Sequence, residues 1–229
     1  AFLLECWMGV LPNGRWAASS CGNEAPRQNG KTRLICGRSA AEMLFYDGTV
    51  IYTAQLQKTS TETFEDMASF FDQKALRKYL KDIKTALGRE QIILKNGGRI
   101  KFLARTRNGG RGQHGDLLIF DEALELDADS QASFLPAISA SPNPQTLMCG
   151  TPPTMISKGT VFTAYRGKVL SGEEEDAGWA EWSVPQMSDT KDVDLWYETN
   201  PSLGLLTTER TIRNSFGSDT VDDNIQRLG

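Results

Sequence analysis

Apolar and polar positions along the chain follow two different periods. Residues 30–46 place Leu34, Ile35, Ala41, Leu44 and Phe45 at helical spacing, and Asp47–Gly48 stops the run. Val50–Ala54 is a short β-rich segment, and residues 58–87 read as a second amphipathic helix, basic in its second half. Gln91–Lys95 and Arg99–Arg105 are two strands joined by Asn96-Gly97-Gly98, a strong hairpin signal. Leu117–Phe120 is a continuous apolar run, as a strand covered on both faces should be, and Thr146–Cys149 is another buried-strand candidate. Residues 1–24 predict a short apolar helix, a Pro12-Asn13-Gly14 turn and a strand entering a loop, and residues 129–138 a helix. Strands and helices therefore alternate to about residue 152, which predicts an α/β domain with a mainly parallel central sheet flanked by helices. Beyond it the pattern predicts helices near 160–170 and 207–216 and a small C-terminal subdomain. The expected division is 1–155 for the core and 156–229 for a linker or lid.

Composition narrows the class. The chain has 229 residues, 39% of them hydrophobic and 24% charged, enough to build a core. No apolar run approaches the roughly 18 residues of a membrane span. Four scattered cysteines and a single histidine, His114, argue against a zinc site or a disulfide scaffold. A triad hydrolase would have to use His114, which sits in a Gly-rich loop with no G-x-S-x-G elbow. The net charge of −4 conceals a strong asymmetry. Residues 74–111 hold twelve Lys or Arg against two acids, and residues 173–194 hold eight acids against one Lys. A domain that is acidic overall can still present a basic face to nucleic acid.

Two segments carry chemistry. Ala25-Pro26-Arg27-Gln28-Asn29-Gly30-Lys31-Thr32 fits G-x-x-x-x-G-K-[ST], with Ala25 in place of the first Gly. Such a loop opens a helix, whose free N–H groups and dipole favour phosphate. Gly30 permits close backbone approach, Lys31 reaches the β- and γ-phosphates of ATP, and the Thr32 hydroxyl suits Mg²⁺. The apolar run ending in Asp121-Glu122 supplies the partner: Asp121 for the Mg²⁺ shell and Glu122 to orient and deprotonate a water. Thr151, just after the next apolar strand, is a candidate sensor of the γ-phosphate.

Taken together these residues resemble the large terminase subunit of tailed bacteriophages. The resemblance is carried by Pro26–Thr32, Arg111-Gly112-Gln113-His114-Gly115, Asp121-Glu122-Ala123 and Cys149-Gly150-Thr151-Pro152. Trp196 and Asn200-Pro201-Ser202-Leu203-Gly204 add to it. It implies a P-loop NTPase of the additional-strand, catalytic-glutamate (ASCE) class that hydrolyses ATP to move double-stranded DNA into a procapsid. It further implies that Arg27 contacts the γ-phosphate and that Arg111 is an arginine finger serving a neighbouring subunit. The implied partners are DNA, further copies in a ring (commonly a pentamer), a portal protein and a small terminase subunit. No membrane is expected, and the host cytoplasm is the implied location.

Two expectations of that family meet no match. The acids at 173–194 lack the apolar strand of a nuclease centre, so the nuclease domain is expected to be absent from this chain. No adenine-binding Gln stands upstream of the loop, which leaves Trp7 or Trp16 as candidates for stacking on adenine. A RecA-like half of a helicase and a non-hydrolysing nucleotide-binding scaffold are the alternative readings.

Overall fold

The computed structural model describes residues 2–154, 157, 159–184 and 188–215. In chain order the elements are α1 (Phe2–Trp7), β1 (Ser20–Glu24), α2 (Lys31–Phe45), β2 (Thr49–Ala54) and α3 (Gln57–Asp72). Then come β3 (Leu80–Lys84), β4 (Gln91–Leu94), β5 (Arg99–Ala104), β6 (Leu117–Phe120) and α4 (Ala128–Phe134). The remainder is β7 (Gln145–Gly150), α5 (Thr160–Ser171), β8 (Ala177–Glu181), α6 (Val193–Thr199) and α7 (Glu209–Ser215).

The eight strands form one sheet in the order β3-β4-β5-β2-β6-β7-β1-β8. The run from β5 to β8 is parallel, and only the β3-β4-β5 edge is antiparallel. One strand, β7, stands between β1, which feeds the Gly-Lys-Thr loop, and β6, which ends at Asp121. That interposed strand is what the additional-strand class requires. Strand alternation divides the core between two faces. Leu117 and Ile119 of β6 join Tyr52, Phe102, Ile35, Met43 and Phe64 under α1, α2 and α3. Leu118 and Phe120 join Ile51, Phe134, Ile138 and Phe162 under α4 and α5.

Most expected elements form, and two regions differ. The helix read over 58–87 stops at Asp72, and its basic second half is instead the edge strand β3. Only Leu80 and Ile83 of β3 are partly covered, and Lys81 and Lys84 stand in solvent. Lysines on an edge strand discourage pairing with another sheet, and their charge mimics the polar face of a helix. The second difference concerns residues 156–229, read from the sequence as a linker or lid. Within them β8 pairs along β1, residue by residue from Ser20↔Ala177 to Glu24↔Glu181, and α5 covers one face. Apart from these, α6 and α7 enclose a small cluster of Trp196 and Ile212. Residue 216, the expected end of the last helix, lies outside the described residues.

Candidate functional site

The loop after β1 is shaped by two left-handed residues, Gln28 (φ 64°) and Gly30 (φ 78°), which curl the chain into the first turn of α2. Gly30 is suited to this because its φ of 78° disfavours a side chain. Ala25, the departure from the usual pattern, has no positive φ, so its methyl group carries no backbone penalty. Its N–H donates to the Gly150 carbonyl at 3.2 Å, which ties the loop to the end of β7. The Lys31 ammonium donates to the Ala25 carbonyl at 2.6 Å and the Pro26 carbonyl at 2.8 Å, leaving one further N–H. Burial draws its pKa down to about 8, against the opposing pull of Asp121.

Across the cleft, β6 ends at Asp121. Its carboxylate accepts from the Tyr52 hydroxyl at 2.7 Å and from the Glu122 N–H at 2.9 Å. Tyr52 is itself bonded to Thr63 of α3 at 3.0 Å, so the carboxylate is held from β2 and α3. Burial raises the Asp121 pKa. Glu122 adopts a left-handed conformation, φ 50° and ψ 45°, which is uncommon outside glycine and asparagine. The Thr59 hydroxyl donates to its Oε1 at 3.3 Å and the Gln55 backbone N–H favours the ionised carboxylate, while Oε2 is buried without a hydrogen bond of normal geometry among the described residues. Burial, then the neighbouring Asp121, raises its pKa. A strained, raised-pKa carboxylate with an unpartnered oxygen is what a general base needs before its water arrives.

Loop and acids face one cavity of about 480 Å³, whose walls include Arg27, Lys31, Thr32, Gln55, Glu122 and Thr151. Of the expected residues, Arg27, Gln28, Lys31, Thr32, Asp121, Glu122 and Thr151 share this cleft, at the carboxyl ends of β1, β6 and β7, where open α/β sheets bind ligands, while Ala25, Asn29 and Gly30 line a neighbouring cavity. A hydroxyl from Thr32 and a carboxylate from Asp121 form a hard oxygen donor set. Among the described residues no three His, Cys, Asp or Glu side chains gather into a metal cage. One carboxylate and a hydroxyl fit Mg²⁺, which keeps waters and takes its other ligands from phosphate oxygens.

The arginines separate. Arg105 turns inward: its guanidinium donates to the Asp121 carbonyl, lies 3.5 Å from the Glu122 carbonyl and stacks over Phe120 at 5.6 Å. It braces the Asp121-Glu122 turn. Arg111 is exposed and lines a different cavity with Arg107, His114 and Asp129, one that shares no residue with the acidic cleft. Arg107 makes a 3.8 Å surface contact with Asp129.

A connection across the chain completes the loop. Asn29 is buried, and its Nδ2 donates to Asn200 Oδ1 at 2.7 Å, while its Oδ1 accepts from the Ser202 N–H at 3.0 Å. The segment after α6 is thus fastened to the phosphate loop. The two tryptophans considered for adenine do not reach it. Trp7 is buried under α1, and Trp16 is buried against Arg38 and Tyr46. Tyr52, Thr59, Arg105 and the Asn29–Asn200 pair are functional candidates that the sequence pattern does not single out. Tyr52 reads as one more apolar strand residue, and Thr59 as one hydroxyl among several.

A family model described as terminase large subunit, T4likevirus-type, N-terminal matches residues 24–150, more than half of the chain. No curated protein matches the sequence. Among solved structures, the large terminase of bacteriophage HK97 is similar with a TM-score of 0.79 at 17% identity, over 95% of this chain and 46% of that one. The large terminase of a thermophilic bacteriophage, in complex with ADP, gives 0.68 at 13% identity, over 99% of this chain and 51% of that one. The large terminase ATPase domain of a Thermus phage gives 0.51 at 13% identity, over 86% and 75%. The chain spans about half the length of the first two.

Proposed function

The chain belongs to the terminase large subunit family, T4likevirus-type, N-terminal, and on that premise we propose that it hydrolyses ATP to drive double-stranded DNA into a procapsid. The observation that carries the proposal is Glu122, whose buried Oε2 makes no hydrogen bond of normal geometry among the described residues while Lys31 and Thr32 line the same cleft.

The N-terminus of α2 and the Lys31 ammonium bind the β- and γ-phosphates, with Arg27 at the γ end. Thr32 and Asp121 hold Mg²⁺, which when bound neutralises phosphate charge. Tyr52 and the Glu122 N–H keep the Asp121 carboxylate in one orientation. Glu122 accepts a proton from the attacking water on Oε2 and Thr59 holds its other oxygen. Thr151, at the end of β7, reports the γ-phosphate to the strand it ends. Arg111 is exposed and away from its own chain's cleft, which suits a finger offered to a neighbouring copy. Such a finger is worth roughly 10³–10⁵ in rate in related phosphoryl transfer. The exposed cations of the β3 edge and the turn after it, among them Lys81, Lys84 and Arg89, suit a sequence-independent grip on DNA phosphates. A ring of copies, a portal protein, a small terminase subunit and a host-cytoplasmic site of action complete the reading. No helix among the described residues is long and apolar enough to cross a membrane.

The test is ATP turnover per chain over a wide range of protein concentration, with wild type and Arg111→Ala. A steep rise with concentration, lost in Arg111→Ala, is the expected result. Measurable turnover that is flat with concentration and insensitive to Arg111→Ala removes the finger. Failure of the wild type to bind ATP removes the whole reading.

A further inference from the structure

Arg105 follows the last residue of β5 and is buried, 6% exposed. Its N–H donates to the Ala54 carbonyl at 2.8 Å and so carries the β5–β2 pairing one residue further. β2 separates β5 from β6. The side chain therefore passes the end of β2 to reach the end of β6. There Nη2 donates to the Asp121 carbonyl, with the Thr53 carbonyl 3.5 Å from Nη2 and the Glu122 carbonyl 3.5 Å from Nη1. All three of these acceptors are backbone carbonyls rather than carboxylates. A buried cation without a paired anion is expensive to keep. Burial draws its pKa down to about 10, against the pull of Asp121 and Glu122.

Which carbonyls it holds shows what such a group can do. The Asp121 and Glu122 carbonyls flank the Glu122 Cα, so their relative direction is set by φ and ψ of that one residue. A planar fork that spans both fixes the two angles together. Glu122 stands at φ 50° and ψ 45°, a backbone that a glutamate keeps only where its surroundings enforce it. Its carbonyl also accepts from the Glu125 N–H at 3.1 Å, which starts the short turn that follows. Glu122 lines the acidic cleft, whereas Arg105 is buried behind the turn.

We infer that Arg105 is a positioning residue for hydrolysis, which aims the Glu122 carboxylate by holding the carbonyls on both sides of its Cα. The inference rests on the reading of Glu122 as the base. Arg105 touches no reacting atom in this role and acts through Glu122. Being buried, it cannot be offered to a neighbouring copy, which separates it from the exposed Arg111. Release of the fork leaves Glu122 in the chain but lets its backbone relax, and the carboxylate moves with it. A misplacement of about 1 Å at such a group costs on the order of a hundredfold in rate. Phosphate binding uses Lys31 and the α2 N-terminus and is unaffected.

The experiment measures ATP affinity and single-turnover hydrolysis on wild type, Arg105→Met, Glu122→Gln and the double variant. Arg105→Met is expected to lower turnover about tenfold to a hundredfold with ATP affinity within about threefold of wild type. In the Glu122→Gln background the same substitution should change the residual turnover by less than about twofold, because its effect runs through Glu122. Arg105→Lys keeps the charge without the fork and should lose turnover several-fold, again with affinity unchanged. It decides the matter if Arg105→Met does not fold. Wild-type turnover in Arg105→Met or Arg105→Lys overturns the inference. So does an equal fold-loss in both Glu122 backgrounds, or a loss of affinity as large as the loss of turnover. Wild-type turnover in Glu122→Gln overturns the reading of Glu122 as the base, and this inference with it.

Discussion

Two buried charged clusters sit at opposite ends of the same sheet, and they are built differently. At the amino end of β7, Arg38 of α2 is wholly buried. It pairs with Glu42 at 2.7 Å and donates twice to Gln145 Oε1, at 2.9 and 3.1 Å. Gln145 in turn donates to the Trp7 and Ala18 carbonyls, and the Trp16 ring covers the guanidinium at 4.6 Å. At the carboxyl end of β6, Arg105 and Asp121 are buried and Lys31 and Glu122 half-buried, yet Glu122 Oε2 and Arg105 Nε have no partner among the described residues. The first cluster spends its hydrogen bonds on α1, α2 and β7 and so fixes their packing. The second keeps valences in reserve. Burial of charge is common to both, and the unmet valences of Glu122 and Arg105 distinguish the second cluster from the first.

That contrast can be broken from either side. The largest effect is expected at the closed cluster. Glu42→Ala strands the Arg38 guanidinium and should cost about 3–5 kcal/mol of stability, measured by denaturant unfolding, with triphosphate affinity of the folded protein little changed. A cost near zero would mean that the cluster does not hold the fold.

Next comes Lys31→Ala in the open cluster. It should reduce triphosphate affinity by roughly a hundredfold or more in a calorimetric titration, because a charged donor to phosphate is lost. Thermal stability should hold or rise, since an expensive buried ammonium has gone. Unchanged affinity would remove Lys31 from the site.

How much of this contrast could be read from the residues alone differs between fold and site. The loop residues 25–32 and the Asp121-Glu122 strand end are local patterns, and local backbone geometry is what such motifs specify. The parallel strands are legible because Leu117–Phe120 and Leu147–Cys149 are apolar throughout, as two-sided burial requires. Residues 73–84 were misread because Lys and Arg are equally at home on a helix face and an edge strand, and two apolar residues, Leu80 and Ile83, cannot distinguish the periods. The alternation around β8 gave no warning either, since all five of its residues are only partly buried. Contacts that join distant segments, such as Tyr52 to Asp121 or Asn29 to Asn200, leave no spacing signal. They depend on strand order, which a single sequence does not print.

A smaller effect concerns Glu24, between the two clusters at the end of β1. Burial, reinforced by Glu181 and opposed by Arg166 and Lys31, raises its carboxyl to about 7. Arg166 is committed to Glu181, at 2.5 and 2.7 Å, and does not neutralise Glu24 fully. The folded chain therefore keeps this proton at a pH where the unfolded chain has released it. The stability contributed is fully present below the unfolded value near 4.5 and is lost as pH rises through 7. Glu24→Gln should raise stability at pH 8 by on the order of 1–3 kcal/mol and do little at pH 4, read from melting curves at both. An equal change at the two pH values would assign the effect to packing.

The smallest effect tests the fastening of the C-terminal segment. Asn200→Ala removes one buried bond to Asn29 and should cost about 1 kcal/mol of stability. It should also loosen nucleotide binding by a few-fold, since Asn29 lies inside the loop. A stability loss with nucleotide affinity untouched would make the pair a purely structural clasp.

The central claim is that the open cluster is a hydrolytic site with Glu122 as its base. It is tested most directly by measuring ATP binding and ATP turnover on the same preparation of Glu122→Gln. The account predicts affinity within a few-fold of wild type and turnover reduced by about 10²–10⁴. Turnover close to wild type would contradict it.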